Sequence, residues 1–211
     1  MFYFITTPQW LKRIYASCTW HINTQRKVIY LSFDDGPHPE ATPFVLAELK
    51  KYDAKASFFC IGKNVATHQR IYAEIIAGGH AVGNHTYNHL NGWKTTTEKY
   101  VADVEMAQQV IESTLFRPPY GKISFRQIRA LTKKENPFKI IMWSLLSADF
   151  DKNVSAHQCL NNVIKNTRKG SIVVFHDSTK AWEKLQYVLP KILMHFSAQG
   201  YRFEKLSNEI Q

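Results

Sequence analysis

Val28-Ile29-Tyr30-Leu31-Ser32-Phe33-Asp34-Asp35-Gly36-Pro37 decides how the rest of the chain is read. Val28 to Phe33 has the apolar, β-branched and aromatic composition of a buried strand. Two carboxylates then stand side by side, and Gly36-Pro37 stops the strand. Adjacent like charges repel and burial makes this worse, so one of the two should be neutralised or face something positive. Successive strand residues point to opposite faces, so Asp34 and Asp35 can share one site only if the strand ends between them or just after. Taken alone, Asp-Asp-Gly-Pro is equally compatible with a plain turn.

Outward from this stretch, short apolar runs alternate with longer segments of helical period. Further strands are expected at Ala56–Ile61, His80–Asn84, Leu115–Arg117, Lys139–Trp143, Ser171–Phe175 and Tyr201–Leu206. Thr42 before Pro43 reads as an N-cap with proline at the first helical position. Gln69–Ala77 ends in Gly78-Gly79. Thr95-Thr96-Thr97-Glu98 reads as a capping box, as do Ser124 to Gln127 and Ser155 to Gln158. Trp182–Ala198 is a last helix in which Pro190 demands a kink or a break. This alternation predicts a parallel sheet with right-handed crossovers, either open and doubly wound or closed as a barrel. Seven strands in this length suit a small, incomplete barrel better than a full eightfold one of about 250 residues. Residues 1–27, with Trp10, Tyr15 and Trp20 spaced five apart, read as a helical arm packed on a single-domain body over 28–211.

With 45% hydrophobic and 21% charged residues in 211, the chain can build one substantial core and is not disordered. Phe2-Tyr3-Phe4-Ile5 is too short for a signal-peptide core, and no apolar run approaches a membrane span, so no secretion address is expected. Cys18, Cys60 and Cys159 lack a zinc-site spacing and read as reduced core thiols. The net charge of +10 permits a nucleic-acid or polyanion partner. Because the basic residues never run beyond pairs, solvated helix faces are the expectation and nucleic-acid binding is not.

In parallel α/β folds the active site lies at the carboxyl ends of the strands. Here those ends lead into Asp34-Asp35, His85 to His89, Arg117 to Gly121, Asp149, and His176-Asp177. His85 and His89, four apart, would face the same way on one helical turn, as a metal pair requires. One carboxylate from the first strand would complete a two-histidine, one-aspartate set with open positions, leaving the other carboxylate as a base. His176 ends a strongly apolar strand; Arg117, stiffened by Pro118-Pro119, and Asp149 are each equally compatible with a structural ion pair.

In this order, Ser32-Phe33-Asp34-Asp35-Gly36-Pro37, His85-Thr86-Tyr87-Asn88-His89, Arg117-Pro118-Pro119-Tyr120-Gly121, Trp143 through Phe150, and Val174-Phe175-His176-Asp177 resemble the polysaccharide deacetylase family, carbohydrate esterase family 4, over about residues 28–206. The resemblance implies a distorted seven-stranded (β/α) barrel and metal-dependent removal of acetyl groups from N-acetylated sugars. It implies that Asp35, His85 and His89 hold a divalent ion, usually zinc and sometimes cobalt, nickel or manganese. It makes Asp34 the general base, His176 the general acid, and the Tyr120 N–H an oxyanion donor. Arg117 would orient Asp34, and Asp149 would keep His176 protonated. Leu146 stands where an acidic residue is usual and Phe150 where tryptophan is usual. Val174 replaces the commoner leucine, and Phe150 and Val174 would line the acetyl pocket. The expected substrate is an acetylated glycan containing N-acetylglucosamine, either peptidoglycan or a chitin-like oligomer. An amidase acting on a small or cyclic amide and a catalytically silent carbohydrate-binding relative are the alternatives. Exposed aromatics such as Tyr87 or Trp93 in an open groove would favour the sugar polymer. Oligomeric state and location are not read from the sequence.

Overall fold

The structure is a computed structural model, and it describes residues 3–207. The first two residues of the arm read over 1–27, including Phe2, and the last four of the body read over 28–211 lie outside the described residues.

Eight short strands are β1 (Val28–Asp34), β2 (Ser57–Cys60), β3 (Ala81–Asn84), β4 (Leu115–Phe116), β5 (Lys139–Ile140), β6 (Leu145–Leu146), β7 (Ile172–His176) and β8 (Arg202–Phe203). Their order is β5-β4-β3-β2-β1-β7-β6, every pairing is parallel, and β8 pairs with Val28 and Ile29 at the start of β1. The sheet curls into an incomplete, seven-stranded (β/α) barrel, a single α/β domain. The helices are α1 (Gln9–Ile14), α2 (Ala41–Lys50), α3 (Gly62–Thr67), α4 (Gln69–Ala77), α5 (Thr97–Gln108), α6 (Phe125–Thr132), α7 (Ala156–Asn166) and α8 (Trp182–Ala198).

β1 is buried along its whole length because it separates two apolar layers. Ile29, Leu31 and Phe33 pack outward with Val173, Phe175, Leu185 and Leu189, whereas Val28 and Tyr30 turn into the barrel with Phe59, Leu115, Ile141 and Ile172. Phe33 lies between the rings of Phe58 and Phe175, at 5.1 and 5.9 Å, and truncating such a side chain to alanine costs about 3–5 kcal/mol. The inward series Val28, Tyr30, Ser32, Asp34 and its neighbour Ile172, Val174, His176 both run from apolar to polar toward the carboxyl ends. An apolar plug therefore fills the bottom of the barrel and ionisable groups occupy the top.

The edges β5 and β6 are joined through the N-terminal segment. Thr19 bridges Ile141 and Thr6 bridges Leu145, with Met142 N–H donating to the Thr19 carbonyl at 2.7 Å and Leu146 N–H to that of Ile5 at 2.8 Å. Among the described residues of the expected helical arm, only Gln9–Ile14 are helical, and the remainder runs as turns and isolated bridges. The strand expected over Lys139–Trp143 stops at Ile140. The carbonyls of Ile141 and Met142 instead accept from the Arg117 guanidinium, at 3.1 Å each, and leave the ladder.

Three further expectations are corrected. Thr42 does not cap α2, which begins at Ala41, because its hydroxyl is committed to Asp177 at 2.5 Å. The cap of α5 is Thr96 rather than Thr95, whose hydroxyl donates to the Asn91 carbonyl, while the boxes at Ser124 and Ser155 form as read. Of the kink or break expected at Pro190, the break does not occur: α8 runs through it as one helix with a buried face of Leu185, Val188, Leu189, Ile192, Leu193 and Phe196. All three cysteines are buried free thiols. No helix among the described residues is long and apolar enough to cross a membrane.

Candidate active site

At the top of β1 the backbone separates the two aspartates. Asp34 is the last strand residue, and Asp35 has φ of 79°, a left-handed conformation that turns its side chain back to the same rim. Asp177, fully buried, holds this turn: its carboxylate accepts from the Gly36 N–H at 3.1 Å and from the Thr42 hydroxyl. A Cβ at Gly36 would lie 2.1 Å from Asp177 Oδ2, so the close approach requires glycine. Burial, followed by the nearby Asp35 and Asp34 charges, pushes the Asp177 carboxyl up to about 8 even though Thr42 opposes it. Asn64 donates to the Asp35 carbonyl at 2.7 Å from α3.

The two carboxylates meet different neighbours. Asp34 Oδ1 accepts from Arg117 Nη1 at 2.7 Å, and both side chains are almost wholly buried. Arg117 also donates to the Ser32 hydroxyl and to the two carbonyls at the barrel seam, and it lies on the Phe59 ring at 4.0 Å. A partner at every guanidinium nitrogen helps make a buried pair tolerable; removing one partner typically costs about 3–5 kcal/mol.

Asp35 faces the histidines, with Oδ1 3.1 Å from His89 Nε2 and 3.7 Å from His85 Nε2. The pair does not sit on a helical turn as expected from its spacing. It converges through a loop in which Thr86 and His89 both have positive φ, 63° and 57°. Three groups shape that loop. Asn84 Oδ1 accepts from Thr86 N–H, the Thr86 hydroxyl accepts from Leu90 N–H, and buried Asp103 of α5 accepts from Tyr87 and Asn88.

His85 Nδ1 lies 2.7 Å from the Arg117 carbonyl, which can only accept. The ring proton therefore sits on Nδ1 and the Nε2 lone pair faces Asp35. Burial pulls His85 down to about 4, against the raising effect of Asp34 and Asp35, so the ring is neutral at pH 7. Burial acts to raise Asp35, yet its bond to His89 and the charge on His176 hold it well below the usual carboxylate range. One ligand atom from each of Asp35, His85 and His89 falls within 4.8 Å of the others. A carboxylate converging with an imidazole lone pair, with His89 alongside, is a donor set that a divalent cation completes.

Across β1, His176 ends β7. Its Nδ1 lies 2.8 Å from Asp149 Oδ1, and its backbone N–H donates to Asp149 Oδ2 at 2.7 Å. Burial acts to lower this imidazole, but Asp149, with Asp35 and Asp34 beyond it, pushes it up to about 10. Phe150 meets the His176 ring edge-on at 5.1 Å, and Tyr3 of the N-terminal segment meets Phe150 at 5.2 Å. The Tyr3 hydroxyl donates to Asp151 at 2.6 Å. Val174 lies two residues below His176 on the inward face, is 1% exposed, and pairs with Leu146. Tyr120, with φ of 61°, places its half-exposed ring 4.6 Å from that of His89.

Asp34, Asp35, His85, His89, Arg117, Tyr120, Asp149 and His176 thus come to one rim. Asp177, Asp103 and Asn64 were not given parts there. Asp103 left a readable signal, a carboxylate on the apolar face formed by Tyr100, Val104 and Ala107; Asn64 left none.

A family model described as polysaccharide deacetylase matches residues 21–136. The chain belongs to the polysaccharide deacetylase family. This polysaccharide deacetylase family chain is 36% identical over 195 residues to a peptidoglycan-N-acetylglucosamine deacetylase of Bacillus cereus, spanning 90% of this chain and 91% of that one. It is 29% identical over 207 residues to a chitooligosaccharide deacetylase of Azorhizobium caulinodans, spanning 88% and 95%. The crystal structure of a peptidoglycan N-acetylglucosamine deacetylase in complex with 4-naphthalen-1-yl-N-oxidanyl-benzamide superposes with a TM-score of 0.82 at 31% identity, covering 95% of each chain. Deacetylation in this family depends on a divalent metal, for which Asp35, His85 and His89 form a fitting site.

Proposed function

We propose that this polysaccharide deacetylase hydrolyses N-acetyl groups on the N-acetylglucosamine units of peptidoglycan or a closely related glycan. The observation that carries the reading is the contrasting Nδ1 partner of two histidines on one rim: the Arg117 carbonyl for buried His85, which leaves the Nε2 lone pair toward Asp35, and the Asp149 carboxylate for His176, which favours the imidazolium. Similarity to deacetylases named for peptidoglycan and chitooligosaccharide supports the substrate class.

Asp35, His85 and His89 would hold the ion, with zinc the first choice; bound there, it supplies Lewis-acid polarisation of the amide carbonyl and acidifies water. Asp34, kept in place by Arg117, takes the proton of the attacking water. The His176 imidazolium delivers its proton to the departing amine nitrogen, so that amide and water become amine and acetate. The Tyr120 N–H donates to the oxygen that gains charge, on backbone held by Pro118-Pro119. Phe150 and Val174, with Leu146 beside them, shape the pocket for the acetyl methyl.

Acetate release from acetylated chito-oligomers and peptidoglycan, with metal content measured on the same sample, tests this. Turnover that scales with bound metal is expected. Tight glycan binding by the metal-loaded protein without acetate release would instead mark a carbohydrate-binding relative.

A further inference from the structure

The catalytic groups account for the acetyl amide, yet a second feature adjoins them. Trp93 is 62% exposed, which is unusual for so large an apolar ring. It is not free to swing. Its Nε1 donates to the Ile123 carbonyl at 3.2 Å, and its backbone N–H is capped by Asn91 Oδ1 at 3.1 Å. Gln127, buried beneath, donates to the carbonyls of Gly92 and Thr95, at 2.9 and 3.1 Å. Gly92 N–H donates to the Lys122 carbonyl at 3.1 Å, and a Cβ on Gly92 would fall 2.3 Å from that oxygen. The two loops are therefore locked back to back.

Both loops lead away from the active site. One follows His89 directly, and the other follows Tyr120, whose ring lies on His89. Lys122 places its ammonium 5.2 Å from the Trp93 ring and forms no ion pair among the described residues. Tyr87, the other aromatic that could have served, is turned inward, its ring packed over Gly62 and against the core.

We infer that Trp93 and Lys122 form a glycan subsite beyond the scissile residue, taking a sugar ring on the indole and a carboxylate of an acidic glycan at the ammonium. This rests on the proposed glycan deacetylation and deepens it. A rigid, exposed aromatic offers apolar area to the C–H face of a pyranose at little ordering cost. An ammonium over one face of that ring, without an ion-pair partner among the described residues, favours a chain bearing carboxylates, as peptidoglycan does, over a neutral chito-oligomer, and the chain's net charge of +10 acts in the same direction. A small amide would touch neither residue.

The test is steady-state acetate release from neutral chito-oligomers of increasing length and from soluble peptidoglycan fragments, with the metal-loaded full chain. Trp93→Ala should raise KM about tenfold on long oligomers, leaving kcat unchanged, and should leave the shortest turned-over oligomer unaffected. Trp93→Phe should restore part of the loss. Lys122→Met should reduce the preference for peptidoglycan fragments over neutral oligomers a few-fold and flatten its salt dependence. If the wild type releases acetate but Trp93→Ala has an unchanged KM at every length, or loses kcat equally at all lengths, the subsite is refuted. If the wild type releases acetate from no glycan, the functional reading fails and takes this inference with it.

Discussion

His85 and His176 stand at the exits of two parallel strands on the same rim, both largely buried, and they end in opposite protonation states. Burial disfavours charge on both. Burial dominates at His85, whose Nδ1 partner is a carbonyl that repays ionisation too little to offset it, and the imidazole falls to about 4. His176 has the Asp149 carboxylate in the corresponding place and rises to about 10. One exchanged partner, carbonyl for carboxylate, separates the proposed metal ligand from the proposed acid. Each prediction below attacks that contrast.

The largest effect should come from His85→Ala, which removes the lone pair. Bound metal measured by elemental analysis should fall to background together with acetate release. Asp34→Asn should keep its metal while kcat falls about 10²–10⁴-fold, the usual worth of a positioned base. Equal metal loss in both variants would abolish the division of labour between Asp34 and Asp35.

Next, Asp149→Asn should make His176 resemble His85. Without the carboxylate, burial is left to lower the imidazole, so the acid form is lost at lower pH. The basic limb of the kcat/KM profile should move toward acid by more than about one pH unit, with metal content unchanged. An unmoved limb would show that Asp149 only orients the ring.

The smallest effect concerns stability. His80 is buried with Nδ1 accepting from Ala56 N–H at 3.2 Å, and burial, then Lys55 and Lys205, lowers it to about 4. Below its ordinary value the unfolded chain binds a proton that the folded chain refuses. Stability present above about pH 6.5 is therefore lost as pH falls toward 4, by at most about 3 kcal/mol. His176 has the opposite sign: its contribution is complete below about pH 6.5 and is lost as pH rises through about 10. Thermal melts from pH 7 to 4 should show a shallower acid decline for His80→Asn than for the wild type; an identical slope would remove His80 from the account.

Much of this arrangement is legible in residue order. The apolar runs locate the strands because burial on both faces demands them, and the exits of those strands bring Asp34, His85, Arg117, Asp149 and His176 to one rim. Side-chain bonds that override local preference are less legible. Thr42 has the form of a cap but serves Asp177. His85 and His89 have helical spacing but meet through a loop held by Asp103, Asn84 and Thr86. The residues Lys139–Trp143 have strand composition, yet Arg117 draws off two of their carbonyls.

By itself, then, the amino-acid order determined which chemical groups the barrel presents, since strand periodicity and strand ends are local properties of the chain. Only the tertiary structure decided what each group does. The left-handed turns at Asp35, Thr86, His89 and Tyr120 aim the side chains, and the N-terminal segment bridges the barrel edges. Protonation states depend on partners 32 residues away for His85 and 27 for His176. Charge energies vary with distance and burial in space, and separation along the chain carries neither.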